Sequence, residues 1–126
     1  MTATTDEIVV YHNPVCSKSR GALEILAERG ADAEVIEYLK EKPSRADLER
    51  ILAAIPDEPS ALVRKDKRFA ELGLDATDYE TTEQVVALLL EHPELMQRPV
   101  VIRGDRGLIA RPSERVLGLL DDPGRR

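Results

Sequence analysis

A strand, a loop, a helix and a second strand follow one another near the start of the chain, and this order limits the fold more than any other feature. The apolar run 8–11 predicts a short buried strand, and the helical spacing of apolar residues over 17–30 ends at Gly30, a natural helix stop. The β-branched run 33–39 predicts a second strand. Two strands joined through a helix are parallel with a right-handed crossover, so the sequence predicts an α/β fold.

The remainder of the chain predicts a group of helices, then a hairpin and a last helix. Capping boxes at Ser44 and Thr81 mark helix starts within a helical insertion of about 44–92. Apolar runs at 99–103 and 107–111 flank a Gly-Asp-Arg turn, which is typical of an antiparallel hairpin. The order is therefore a βαβ unit, the helical insertion and then ββα, and it predicts a thioredoxin-like mixed sheet.

The length of 126 residues fits one domain, which we expect to span 1–126. No apolar stretch approaches the ~18 residues of a membrane span, and the first seven residues lack the basic start and apolar centre of a signal peptide. We therefore expect a cytoplasmic protein with no membrane partner. We also expect a monomer and a frayed tail at 122–126.

Charge and cysteine content exclude several classes of function. The net charge of −6 argues against nucleic acid as a partner. Positive charge is nevertheless concentrated in three segments, 16–20, 64–68 and 98–115, which would form a small-anion site if the fold brings them together. A single cysteine allows no internal disulfide, and no Cys/His cluster has metal-ligand spacing, so we expect no metal.

That single cysteine, Cys16, lies where the first loop meets the first predicted helix. Backbone N–H groups at a helix N-terminus have no partner within the helix and favour an anion such as a thiolate. Such termini and cationic neighbours lower a thiol pKa to about 3.5–7.5, and Lys18 and Arg20 lie within one turn. A buried structural cysteine is the alternative, but the loop and the charges favour a reactive thiol.

Four segments of the chain carry a family resemblance. They are YHNPVCSKSR at 11–20, LVRK at 62–65, QRPVV at 97–101 and ARPSE at 110–114. In this order and spacing they resemble the glutaredoxin-dependent arsenate reductase family, over nearly the whole chain. The resemblance implies reduction of arsenate to arsenite on a thioredoxin-like fold, with Cys16 as nucleophile and Arg64, Arg98 and Arg111 holding the oxyanion.

The resemblance also implies how the reaction is completed. The Cys16 thiolate forms an adduct with arsenic, glutathione attacks that adduct, and glutaredoxin reduces the resulting mixed disulfide. Glutathione, or another small thiol, is then a co-substrate, and no cofactor is tightly bound. Thioredoxin-like folds place a cis proline opposite the active cysteine, so the Arg98–Pro99 bond is predicted to be cis.

Two further residues are expected to support the thiolate. His12 matches a family histidine that would lower the thiol pKa when protonated. Ser19 occupies the place of the second thiol in a Cys-x-x-Cys motif, and we expect its hydroxyl to donate a hydrogen bond to the sulfur. The role of Arg20 stays open.

Two other functions remain open from the sequence. One is that of regulators that bind RNA polymerase, which share the fold and the cysteine loop. The other is that of a family relative that keeps the fold and reduces another thiol-linked substrate. The regulators often carry a Cys-x-x-Cys pair and have no need of the three arginines. Phosphatase-like arsenate reductases need an arginine six residues beyond the cysteine, where this chain has Ala22, so that mechanism is excluded.

Overall fold

The structure of the protein is a computed structural model and describes residues 7–120. The segment 122–126, expected to be frayed, lies outside the described residues. Across 7–120, the structure contains no helix whose length and apolar character would let it cross a lipid bilayer.

The centre of the fold is a four-stranded mixed sheet with the order β2-β1-β3-β4. β1 pairs with β2 in parallel, whereas β3 is antiparallel to both β1 and β4. This topology confirms the predicted βαβ unit and the later hairpin. The strands are β1 (Ile8–His12), β2 (Ala33–Glu37), β3 (Val100–Arg103) and β4 (Arg106–Ile109).

Helices connect the strands in the predicted order, and most of them lie between β2 and β3. Both predicted capping boxes are present: Ser44 and Thr81 each accept a hydrogen bond from the backbone N–H three residues later. The α-helices are α1 (Ser17–Glu28), α2 (Arg45–Ala54), α3 (Lys67–Glu71), α4 (Thr82–Glu91) and α5 (Leu117–Leu120). Short 3-10 turns occupy Pro59–Leu62, Ala76–Asp78, Pro93–Leu95 and Ser113–Val116.

Apolar side chains of the sheet alternate between two cores. On one face, Val9 and Tyr11 pack with the residues of α2, α3 and α4. On the other face, Ile8 and Val10 pack with α1 and the C-terminal helical turns. Successive strand residues point to opposite faces, so β1, which is buried throughout, serves both cores.

The structure differs from the prediction at two strand ends. The hairpin turn contains two residues, 104–105, rather than three, because β4 already begins at Arg106. Gly104 has φ 64, as the first position of a tight hairpin turn requires. β2 ends at Glu37 rather than at 39, and the next residue, Tyr38, turns into the interior and is fully buried.

The end of β1, the end of β2 and the start of β3 lie together at one edge of the sheet. In the parallel register His12 is opposite Glu37, so the chain leaves β1 and β2 side by side. β3 runs the other way and therefore begins at this same edge. Crevices at the carboxyl ends of parallel strands are common ligand sites, and α1 starts here with Cys16.

Candidate active site

Cys16 is the N-cap residue of α1 and is half-buried. Its backbone is extended, with φ −96 and ψ 122, and its N–H donates to the carbonyl oxygen of Asn13 at 3.0 Å. This turn brings the N–H groups of Lys18 and Ser19 to the sulfur. The predicted placement of the thiol at a helix N-terminus is confirmed.

The pKa of Cys16 is lowered from its ordinary value of 9.0 to about 7. Burial is the largest single influence and raises the pKa, but several groups that favour the thiolate outweigh it together. They are the Arg98 side chain, through hydrogen bonding and charge, and the N–H groups of Ser19 and Lys18. A thiol with a pKa of about 7 is about half ionised at neutral pH, so the nucleophilic form is abundant.

The loop before Cys16 is held by two hydrogen bonds. Asn13 Oδ1 accepts from the backbone N–H of Val15 at 3.0 Å, and Arg20 Nη1 donates to the Pro14 carbonyl at 2.9 Å. The side chain of Arg20 thus lies over the outside of the loop and is exposed. This contact gives Arg20 a role in loop structure, which the sequence left open.

His12 and Ser19 form a buried pair beneath the loop. Ser19 Oγ lies 2.7 Å from His12 Nδ1 and accepts from the backbone N–H of Asn13 at 3.0 Å. The expected hydrogen bond from the Ser19 hydroxyl to the sulfur is therefore wrong, because that hydroxyl bonds with His12 and Asn13. Burial lowers the pKa of His12 and disfavours the protonated form that we expected. Support of the thiolate by these two side chains stays a prediction.

Arg98 and Arg111 approach the sulfur from the start of β3 and the end of β4. Arg98 is half-buried beside Cys16, and the Arg98–Pro99 bond is cis, as predicted. Arg111 Nη1 lies 3.9 Å from Cys16 Sγ and also donates to the Arg98 carbonyl at 2.9 Å. Two of the three predicted arginines thus converge on the thiol from segments far apart in the sequence.

Backbone pairing places Arg64 beside the segment that leads into Arg98. Its N–H donates to the Leu95 carbonyl at 2.6 Å, and the Gln97 N–H donates to the Leu62 carbonyl at 2.7 Å. The half-buried guanidinium bonds with Asp66, with Nε 2.8 Å from Oδ2. A role for Arg64 in holding an oxyanion stays a prediction, and it would require the side chain to exchange this partner.

Comparison with known proteins agrees with this arrangement. A family model described as the ArsC family matches residues 11–119, which include the cysteine loop and the segments of all three arginines. The chain belongs to the ArsC family.

Two relatives and one solved structure that are similar to this chain carry the name arsenate reductase. One from Acidiphilium multivorum is 39% identical over 116 residues, covering 91% of this chain and 82% of the relative. One from Neisseria meningitidis is 35% identical over 116 residues, covering 90% of this chain and 98% of the relative. The structure of arsenate reductase from Vibrio cholerae superposes with a TM-score of 0.80 at 34% identity, covering 92% of this chain and 99% of that one.

In this member of the ArsC family, the first turn of α1 is tied to the segment that follows Arg111. Ser113 Oγ donates to the Lys18 carbonyl at 2.7 Å. Gly21 leaves room for that side chain, since a Cβ at position 21 would lie 2.7 Å from Ser113 Oγ. The contact fixes the end of β4 against the helix that carries the thiol, and sequence reasoning did not find it.

Sequence reasoning also missed a group of buried polar atoms at this edge of the sheet. Within residues 7–120, Tyr38 Oη, Gln97 Oε1 and Arg98 Nε are buried and have no hydrogen-bond partner. The sequence pattern placed Tyr38 only within the predicted strand 33–39 and gave no reason to assign it to the site. In the same part of the chain, no cluster of His, Cys, Asp and Glu side chains is arranged to hold a metal ion.

Proposed function

We propose that this protein reduces arsenate to arsenite, with Cys16 as the nucleophile. The observation that carries the proposal is a half-buried thiol with a pKa of about 7, flanked by two arginine side chains, Arg98 and Arg111. Arsenate is a tetrahedral oxyanion, and the arginine fork offers donors that stay charged at any working pH. The relatives named arsenate reductase, similar over most of the chain, support this choice of substrate.

The first step joins the thiolate to arsenic. The Cys16 sulfur forms a bond to arsenic(V), and one arsenate oxygen leaves as water after taking up protons. The arginines act twice in this step. They offset the repulsion between thiolate and oxyanion in the ground state, and they stabilise the charge that builds on the remaining oxygens.

The second step transfers two electrons to arsenic. A small-thiol thiolate attacks the Cys16 sulfur, a disulfide forms, and the electron pair of the broken S–As bond stays on arsenic, which leaves as arsenite. The two sulfurs lose the two electrons that arsenic gains. A partner oxidoreductase then attacks the mixed disulfide at the small-thiol sulfur and releases Cys16, since exchange proceeds through mixed disulfides.

The lone cysteine supports the need for outside thiols, because the chain has no second thiol to resolve the adduct. We propose glutathione, or another small thiol, as the first reductant and glutaredoxin as the second, acting on a monomer in the cytoplasm. Exposed residues lie close to Cys16 in the sequence, and such a partner would dock on them. Val15 is 81% exposed, and Pro14, Lys18 and Arg20 are exposed beside it.

Arsenite formation by the purified protein tests the proposal. The protein is supplied with arsenate, glutathione and glutaredoxin, and the Cys16→Ser variant is measured in parallel. The parent should form arsenite and the variant none, because a hydroxyl supplies no thiolate at neutral pH. Circular dichroism and thermal unfolding establish that the variant is folded.

Two results would contradict the proposal. Turnover by folded Cys16→Ser would remove Cys16 from the mechanism. A parent that forms no arsenite but reduces glutathione mixed disulfides would favour the relative with another thiol-linked substrate. The RNA-polymerase regulator gains no support from the arginines at the thiol, since docking to a protein does not need them.

A further inference from the structure

Tyr38 lies at the edge of the sheet where the thiol is found. It follows Glu37, the last residue of β2, which is opposite His12 in the parallel register with β1. The chain leaves both strands at this point, so Tyr38 comes beside the start of the cysteine loop. Its side chain is fully buried, and its hydroxyl has no hydrogen-bond partner among residues 7–120.

The neighbours of this hydroxyl are groups of the active site. The Arg98 and Asn13 side chains lie next to it, although neither makes a well-formed hydrogen bond with it. Cys16 is close enough to interact with it electrostatically. Arg98 Nε is a second buried polar atom without a partner, so one small region holds a free hydroxyl and a free guanidinium N–H beside the thiol.

Such a pair of groups is unfavourable in an apo protein. Buried polar groups are almost always hydrogen-bonded, and leaving one unpaired lowers the stability of the folded protein. An anion with several oxygens that reached both donors would satisfy them together. The burial of Tyr38 also raises the pKa of its hydroxyl, so the group stays protonated at neutral pH and can donate.

We propose that the Tyr38 hydroxyl is a further substrate-binding group of this site, donating a hydrogen bond to an oxygen of the oxyanion that Arg98 also holds. The inference rests on the proposed function, since it takes arsenate as that oxyanion. Tyr38 adds a neutral donor, which contributes direction without adding to the positive charge of the arginines. The Tyr38 hydroxyl makes the site selective for an anion that has at least one oxygen more than the arginine side chains bind.

The Tyr38→Phe variant tests this role because it removes only the hydroxyl. The expected value of kcat/KM for arsenate is about 10- to 100-fold lower, in line with loss of a hydrogen bond to a charged group. Thermal and urea unfolding without arsenate should match the parent or show higher stability, because the lost hydroxyl had no partner in the apo protein. The matched control is Tyr79→Phe, whose ring packs edge-on against Phe69 and which should keep parental kinetics.

Binding without turnover separates this inference from the proposed function. Inorganic arsenate, added without any thiol, should raise the unfolding temperature of the parent and of Tyr79→Phe, but raise that of Tyr38→Phe much less. If the parent forms no arsenite yet this difference persists, the proposed function fails and the anion subsite stands. Three results would overturn the subsite: equal arsenate shifts in parent and Tyr38→Phe, parental kcat/KM in that variant, or a marked loss of apo stability, which would show that the hydroxyl is a structural partner.

Discussion

Replacing Arg98 by lysine separates the two effects that this side chain has on the site. Arg98 lowers the pKa of Cys16, and under the proposed function its fork also holds the oxyanion. Lysine keeps the positive charge but presents it as a point, without the planar pair of donors. Activity should therefore fall far more than the change in thiol ionisation alone would cause.

The ionisation effect has an upper bound. If the pKa of Cys16 rose from about 7 to 9.0, the thiolate fraction at pH 7 would fall from about half to about 1%, roughly 50-fold. A more basic thiolate is also a stronger nucleophile, and a Brønsted slope of about 0.45 recovers roughly 8-fold over that range. Ionisation alone thus costs at most about 6-fold, whereas loss of an oxyanion donor costs about 10²–10³.

The pH dependence of kcat/KM distinguishes these contributions. For Arg98→Lys we expect a loss of about 100-fold or more at pH 7 that persists above pH 9, where both thiols are ionised. Arg45→Lys is the matched control, since Arg45 lies on α2 and pairs with Glu83 at the surface. A loss of about 6-fold or less at pH 7 that disappears at high pH would refute the argument, because Arg98 would then act only through the thiol.

Three further predictions concern the thiol and its supports. The rate of Cys16 alkylation by iodoacetamide should rise with pH to a midpoint near 7, and a midpoint near 9.0 would contradict activation of the thiol. Because the pKa of Cys16 is lower in the folded protein, the thiolate adds stability relative to Cys16→Ser. That added stability should be present above pH 9.0 and lost as pH falls through 7. Ser19→Ala should lower the free energy of unfolding by about 1–3 kcal/mol in urea, because His12 and the loop N–H lose a buried partner, and an unchanged value would argue against that pair. Gly21→Ala should fail to give the gain of about 0.5–1 kcal/mol usual in a helix interior, because its Cβ would lie 2.7 Å from Ser113 Oγ. Adding Ser113→Ala should recover part of that gain, since it removes Oγ but keeps the Ser113 Cβ at 3.2 Å. A gain in the single variant would refute the tight contact.

Local patterns predicted the elements of this fold because the interactions behind them are local. The capping boxes at Ser44 and Thr81 join residues three apart, so the sequence contains both partners. The parallel crossover followed from the element order, and Cys16 at the start of α1 followed from the loop and helix boundaries. The strand ends were less certain, since the pairing that ends β2 at Glu37 depends on β1.

The partners of individual polar groups were harder to predict. The Ser19 hydroxyl bonds with the His12 ring and the Asn13 N–H rather than with the sulfur, and the loop geometry that decides this is not visible in the sequence. No periodicity identifies Tyr38 as a site residue, because only the β1–β2 register brings it to the thiol. The Arg64–Asp66 pair was not predicted either, although only one residue separates the arginine from the acid in the sequence.

In the proposed mechanism, Cys16 itself forms the bond to arsenic and gives up electrons together with one outside thiol. The most direct measurement incubates the protein with arsenate and glutathione without glutaredoxin, then determines released arsenite and the intact mass. We expect one arsenite per protein and one glutathione attached at Cys16. Added glutaredoxin should remove that glutathione and restart turnover. Release of arsenite with Cys16 unmodified, or continued turnover without a partner oxidoreductase, would contradict it.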